Sequence, residues 1–140
     1  MLDFHQGKKA LNPIQYNTYL LGVILMYKKQ KKKLKKLKNE LEKRIKEIKL
    51  SLMKKRSKDW GEAAVEAEND EVLEGVYTES ARELLQVKHA LQRIKQGEYT
   101  QCEECGAEIN PKRLKIMPYT TICIECAQSM EFEYQLSSKA

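Results

Sequence analysis

Apolar residues recur at helical spacing through the middle of the chain. Between residues 28 and 58 six apolar positions step by three or four, and Lys and Glu fill most positions between them. A second run with the same steps extends from residue 81 to residue 94 and stops just before Gly97. Such spacing places each run on one stripe of an α-helix, and a narrow stripe is usually covered by another helix. The two stripes consist of Leu34, Leu37, Leu41, Ile45, Ile48 and Leu52, and of Ala81, Leu84, Val87, Leu91 and Ile94.

The connection between the two stripes is short, so an antiparallel helical hairpin is the economical arrangement. We predict this hairpin over residues 28–97, with its tip near residues 57–64. Gly97 is suited to end the second helix. Before the hairpin, residues 1–27 form an N-terminal extension that can be helical, because Asn12-Pro13-Ile14-Gln15 has the cap, the proline and the glutamine of a helix start.

The four cysteines of the chain form two pairs with identical internal spacing. Each pair has the form Cys-x₂-Cys, and 17 residues separate the pairs. Two such pairs can close tetrahedrally on one Zn²⁺, and a site with four thiolates suits zinc better than an iron–sulfur cluster, although iron stays open. Two disulfides in a secreted domain are the alternative, but we recognise no secretory segment. We therefore predict one structural zinc ion held by Cys102, Cys105, Cys123 and Cys126.

The segment that holds the cysteines, residues 98–127, is predicted to be a compact finger. Gly106 follows the first pair, where the turn around a metal can demand a positive φ. Ile109, Leu114 and Ile116 can form a small satellite core. Residues 128–140 are predicted to form a short C-terminal helix with Met130, Phe132, Tyr134 and Leu136 available for packing. The expected fold is therefore mainly α: an antiparallel two-helix coiled-coil hairpin with a four-cysteine zinc finger and a short C-terminal helix.

Charge is segregated along the chain. The formal net charge is +6 and the pI is near 9.1, which points to an environment of nucleic acid or an acidic partner surface. Residues 28–58 hold 16 Lys or Arg and three Glu, whereas residues 59–74 hold seven acidic residues and no basic one. Solvated helix faces explain many of the lysines but not this abrupt change of sign.

Catalysis and membrane insertion are both disfavoured. Four thiolates around zinc leave no open coordination position, His5 and His89 have no companion acid at a useful spacing, and no phosphate-binding glycine loop is present. The apolar stretch from Tyr19 to Tyr27 is shorter than the roughly 20 residues that a membrane-spanning helix needs. We expect a cytoplasmic protein that is not an enzyme.

Two motifs resemble the DksA/TraR family of RNA-polymerase-binding regulators. The first is the four-cysteine finger with Gly97 and Tyr99 before it and Pro118 within it. The second is the segment Asp59-Trp60-Gly61-Glu62-Ala63-Ala64, which is similar to the coiled-coil tip of the shorter family members. The resemblance covers roughly residues 30–135 and implies a coiled-coil arm on a zinc-bearing base.

What this resemblance implies about function is specific. Such proteins bind RNA polymerase and insert the arm into its secondary channel, where acidic residues at the tip alter promoter complexes; they do not read DNA sequence. The family tip pattern, Asp-x-x-Asp-x-Ala, falls on Asp59, Glu62 and Ala64, with glutamate in place of the second aspartate. Trp60 beside the first acid is a candidate interface anchor, and packing back on the seam near Val65 is the alternative.

One departure from the family concerns the alarmone guanosine tetraphosphate. Better-known members carry basic residues where this chain has Gln86, Met117 and Ala127, which argues against direct alarmone binding. The alternative function is a nucleic-acid-binding zinc protein that uses the Lys-rich helix. Against it, residues 98–126 hold five Glu and only three Lys or Arg.

Overall fold

The structure, a computed structural model, describes residues 12–56 and 63–139. Within those ranges it contains four helices: α1 (Pro13–Arg56), α2 (Ala63–Gln96), α3 (Pro111–Ile116) and α4 (Ile124–Ser138). The first two helices have 44 and 34 residues, which at 1.5 Å per residue gives lengths of about 66 and 51 Å. Helix α1 runs without a break from the apolar N-terminal stretch into the lysine-rich part.

The start of α1 has the bond from the cap residue to the glutamine side chain that its sequence predicts. The backbone N–H of Asn12 donates to Oε1 of Gln15 over 3.2 Å, and the N–H of Tyr16 donates to the carbonyl of Asn12 over 2.8 Å. These bonds satisfy groups that would otherwise be unpaired in the first turn. The predicted helix start is therefore confirmed.

Helices α1 and α2 pack side by side in opposite directions. Lys28 of α1 lines one groove with Ile94 of α2, and Lys49, further along α1, lines another with Thr78. Residue numbers thus rise along α1 where they fall along α2, as an antiparallel hairpin requires. The predicted mainly helical hairpin is confirmed.

The seam between α1 and α2 is formed by the two predicted apolar stripes. Leu34 and Leu41 from α1 and Val87 from α2 are almost fully buried and belong to one hydrophobic cluster. Ala90, which lies outside the predicted stripe, is also buried there. The other cluster members from the stripes are partly buried: Leu37, Leu84, Leu91 and Ile94.

The same cluster continues into the base of the hairpin, which we define as residues 97–127. Tyr99, Ile109 and Leu114 are all fully buried there. Ile116, in contrast, is 80% exposed, so its predicted place in the satellite core is wrong. Helix α3 has six residues and buries only Leu114, because so short a helix presents little more than one turn to its neighbours.

Helix α4 begins at Ile124, between the two cysteines of the second pair and four residues before the predicted start at residue 128, and has no buried residue. The expectation that its apolar side chains pack is wrong: Phe132 is 63% exposed and Tyr134 is 74% exposed, and Met130 and Leu136 are exposed as well. The helix contains too few apolar residues on any one face to define a buried side.

Across residues 12–56 and 63–139, none of the helices combines the length and apolar character needed to cross a membrane.

Candidate metal centre at the base of the hairpin

The four cysteine sulfurs meet in one place. All their Sγ atoms lie within 4.8 Å of one another, and those of Cys105 and Cys123 are 3.7 Å apart. Four sulfurs at about 2.3 Å from a tetrahedral Zn²⁺ would be about 3.8 Å apart, so the observed spacing suits such an ion. All four cysteines are free thiols rather than disulfides. They are therefore positioned to bind one metal ion.

The first pair lies in a tight loop that glycine makes possible. The N–H of Cys102 donates to the carbonyl of Ala107 over 2.7 Å, and the N–H of Gly106 donates back to Cys102 over 2.9 Å. Gly106 has a φ of +71°, a conformation that residues with a Cβ rarely adopt, as the sequence predicted. The loop thereby holds both sulfurs of the pair on one side.

The second pair lies at the start of α4. Cys123 precedes the first helical residue, and its sulfur accepts a hydrogen bond from the N–H of Cys126 over 3.5 Å. The N–H of Cys123 donates in turn to the sulfur of Cys102 over 3.3 Å. Backbone amides therefore orient sulfurs of both pairs towards the same point.

The four thiols do not ionise alike. Burial opposes ionisation of Cys102, but backbone amides of Cys105, Cys123 and Glu104 lower the pKa of its thiol to about 6. Contact with the sulfurs of Cys123 and Cys105 raises the pKa of the Cys126 thiol. Because charge on one sulfur disfavours charge on the next, four thiolates at this spacing need a cation among them.

An ionic contact ties the first cysteine loop to α2. Glu103 accepts a contact of 2.5 Å from Nε2 of His89 and lies 3.6 Å from Nε of Arg93. Burial opposes ionisation of Glu103, but His89, Thr121 and Arg93 hold the pKa of its carboxyl below the ordinary value. Arg93 is 4% exposed and also donates from Nη2 to the backbone carbonyls of Glu98 and Gln101. Glu103 is 14 residues from His89 in the sequence and reaches it only through the fold, so local spacing did not indicate this acid.

Helix α1 contacts the base through two further side chains. The buried Gln30 donates from Nε2 to the carbonyl of Leu114 over 2.9 Å. The ring of Tyr27 lies 5.5 Å from that of Tyr99, centroid to centroid. The Tyr99 hydroxyl donates to the carbonyl of Pro118 over 2.7 Å, and this bond joins the start of the finger to its later part. Both helices of the hairpin are thus attached to the metal-binding base.

The predicted tip residues are only partly covered by the structure. Asp59, Trp60 and Glu62 lie outside the described residues, and Ala64 is the second residue of α2. Their roles remain predictions.

Two of the three positions at which better-known family members carry basic residues line one groove. Gln86 of α2 and Met117 of the finger line a groove of about 460 Å³ with Arg113, whereas Ala127 is not part of its described lining. Nε of Arg113 donates to the carbonyl of Ile122 over 3.1 Å, so this cation is already engaged by the backbone.

Comparisons with known proteins agree with this architecture over most of the chain. Residues 30–94 match the family model of the DnaK suppressor protein-like N-terminal domain. Residues 97–132 match that of the prokaryotic dksA/traR C4-type zinc finger. The first match spans the hairpin and the second spans the metal centre.

Individual relatives show the same likeness. An uncharacterized protein of Aquifex aeolicus is 32% identical over 97 residues, which are 69% of this chain and 67% of that protein. General stress protein 16O of Bacillus subtilis is 38% identical over 63 residues, 44% of this chain and 39% of that protein. The structure of transcription factor DksA2 from Pseudomonas aeruginosa superposes with a TM-score of 0.71 at 25% identity, covering 79% of this chain and 87% of that one. The chain belongs to the DksA/TraR family.

Proposed function

We propose that this protein is a transcription regulator that binds RNA polymerase and inserts its helical hairpin into the secondary channel. The observation that carries the proposal is the pairing of a long two-helix arm with a metal-binding base in a DksA/TraR chain. The likeness to the transcription factor DksA2 supports a role in transcription. The channel mechanism comes from the family resemblance.

The arm and the base have separate tasks in this proposal. Contacts of Gln30, His89 and Arg93 with the base give the hairpin a defined direction. We infer that one Zn²⁺ on the four cysteines keeps the base folded, so that the arm points the same way in each molecule. The described residues contain no other group of three or more metal-ligating side chains. The protein then acts as a positioning device and not as an enzyme.

The tip places acidic side chains in the partner's active centre. Asp59 and Glu62 bring carboxylates that can pair with a basic side chain or approach a bound Mg²⁺. Ala64 is small enough to permit close approach, and Trp60 can anchor the tip by its large apolar surface. Direct binding of guanosine tetraphosphate is not part of the proposal, because Gln86 and Met117 offer no charge to a polyphosphate. We also expect the protein to work in the cytoplasm, where the polymerase is.

Crosslinking from the tip tests this proposal. A photoreactive residue replaces Trp60, and the zinc-loaded protein is mixed with RNA polymerase and irradiated. We expect crosslinks to the polymerase subunits that line the secondary channel. The same residue at Leu50, which is 48% exposed on α1, is the positional control. Failure to co-purify with polymerase, or crosslinks confined to its outer surface, would contradict the proposal.

A further inference from the structure

The two long helices form a basic groove on one side of the hairpin. It has a volume of about 720 Å³ and lies between residues 31–39 of α1 and residues 88–96 of α2. Its lining includes five lysines, three neutral amide side chains and one apolar residue, Leu91. We call it the lysine groove and define it by Lys31, Lys35, Lys38, Lys88 and Lys95.

Positive charge in the lysine groove is only partly balanced. Glu42 lies one turn beyond Lys38, and its Oε1 is 3.8 Å from Nζ of Lys38 and 3.5 Å from Nζ of Lys88. The described lining itself contains no carboxylate. Ammonium groups from two helices that line one groove raise the local potential, which attracts a polyanion.

The arrangement of the lysines suits a polymer of closely spaced negative charges. Lys31 and Lys38 are seven residues apart, as are Lys88 and Lys95, so each pair spans about 10 Å along its helix. A nucleic-acid duplex carries about one negative charge per 1.7 Å of its axis and can meet both rows at once. Ammonium groups act as point charges and contact phosphates without a fixed orientation.

The lining also indicates which part of a nucleic acid would be bound. The described lining has no aromatic side chain on which an unpaired base could stack, and Leu91 is its one apolar residue. Proteins that hold single strands rely on such aromatic platforms. Contacts to phosphates position a protein but do not read sequence.

We propose that the lysine groove binds the phosphodiester backbone of a nucleic-acid duplex without regard to its sequence. The groove lies on the flank of the hairpin, between the tip and the base, and the proposal needs neither Asp59 nor Glu62. It is independent of the proposed polymerase role.

A pair of charge-matched variants tests the groove. The groove variant carries Lys31→Gln, Lys35→Gln and Lys95→Gln, which leaves both contacts of Glu42 in place. The control variant carries Lys29→Gln, Lys33→Gln and Lys112→Gln. Lys29 and Lys33 belong to α1, and Lys112 belongs to α3. All three are exposed and line a different groove beside α3. Both variants lose three positive charges, and glutamine retains helix propensity.

The measurement is fluorescence anisotropy of a short labelled duplex with full-length, zinc-loaded protein over a salt series. If all five groove lysines meet phosphates, the wild-type slope of log K against log salt is about −4 to −5. The groove variant should lose about 2 to 3 units of slope, whereas the control variant should lose less than about 0.5. Two duplexes of unrelated sequence should bind equally.

Three outcomes would overturn the proposal. Equal weakening in both variants would mean that net charge alone drives binding. Displacement of the duplex by polyglutamate at the same charge concentration would show that the groove responds to negative charge in general and not to a phosphodiester backbone. Tighter binding of a single strand would contradict backbone recognition of a duplex.

A second variant covers the case in which the triple substitution disturbs folding. Lys35 is exposed, and Lys35→Glu should reduce the slope by about 1 to 2 units with an unchanged circular dichroism spectrum. An unchanged slope in that variant would also refute the groove. The assay contains no polymerase, so its failure leaves the proposed function untouched.

Discussion

Oε1 of Glu103, in the first cysteine loop, lies 2.5 Å from Nε2 of His89 on α2. This contact joins the metal-binding base to the helical arm, and Arg93 reinforces it from the same helix. A side chain set between Cys102 and Cys105 therefore connects the first cysteine loop to the arm.

Loss of this contact should destabilise the protein modestly. Glu103→Ala removes the carboxylate that faces the buried Arg93, and we expect the free energy of unfolding to fall by about 1 kcal/mol. Glu104→Ala changes the neighbouring exposed glutamate in the same loop and should cost less than about 0.5 kcal/mol. Urea unfolding of the zinc-loaded proteins measures both. Equal effects of the two substitutions would show that the contact with His89 contributes nothing specific.

Metal removal should affect the base and the arm differently. Chelation leaves four crowded thiols without a cation, so we expect residues 98–127 to lose protection against hydrogen exchange. The hairpin has its own seam between α1 and α2, and most of its helical circular dichroism signal should persist. Complete loss of helical signal on chelation would contradict this division between arm and base.

The tip acids should govern the regulatory effect more than they govern binding. Asp59→Asn together with Glu62→Gln removes two negative charges, so promoter-complex lifetime should return towards its value without the protein. Glu71→Gln with Glu74→Gln removes two exposed acids from α2 and is the charge-matched control. In-vitro transcription and a polymerase pull-down report the two properties separately. An unchanged promoter-complex lifetime in the tip variant would exclude the assignment of these acids.

The seam should carry much of the stability of the hairpin. Leu41→Ala removes a side chain that is 1% exposed, and the resulting cavity should cost about 3 kcal/mol. Leu50→Ala makes the same chemical change on the same helix at a position that is 48% exposed. That control should cost less than about 1 kcal/mol. Comparable costs in denaturant unfolding would show that the two stripes are not the core of the arm.

Tyr99 should make the base sensitive to strong alkali. Burial, aided by the nearby Tyr27, raises the pKa of the Tyr99 hydroxyl to about 12. The folded protein binds this proton more tightly than the unfolded chain does. The protonated Tyr99 hydroxyl therefore contributes its full stabilisation below pH 10, and this contribution is lost as pH rises from 10 to 12. The ultraviolet absorbance of ionised tyrosine should therefore show a group titrating near pH 12 that Tyr99→Phe removes and Tyr134→Phe, at an exposed position, does not. An unchanged titration near pH 12 in Tyr99→Phe would contradict this assignment.

Most of the architecture could be predicted from local features of the sequence. Helical spacing of apolar residues predicted the stripes that carry Leu34, Leu41 and Val87, because a repeat of 3.6 residues places them on one face whatever their partner is. The spacing of the cysteines predicted the metal centre, because each pair closes within one short loop. Gly97 and Gly106 both have the positive φ that their places after a helix and in a metal loop suggested. The exposure of Ile116 and Phe132 was not predictable in this way, since an apolar residue on a short helix is buried only if a neighbour covers it.

The amino-acid sequence by itself determined the hairpin, its seam and the set of cysteines, because these depend on residues a few positions apart. Only the tertiary structure decided that Lys88 and Lys95 face the lysines of α1, that Gln30 reaches Leu114, and that His89 meets Glu103. Those contacts join residues from 14 to 84 positions apart. They depend on the register of two helices and on the angle at which the finger returns to them, and neither quantity is encoded in any single stretch of the chain.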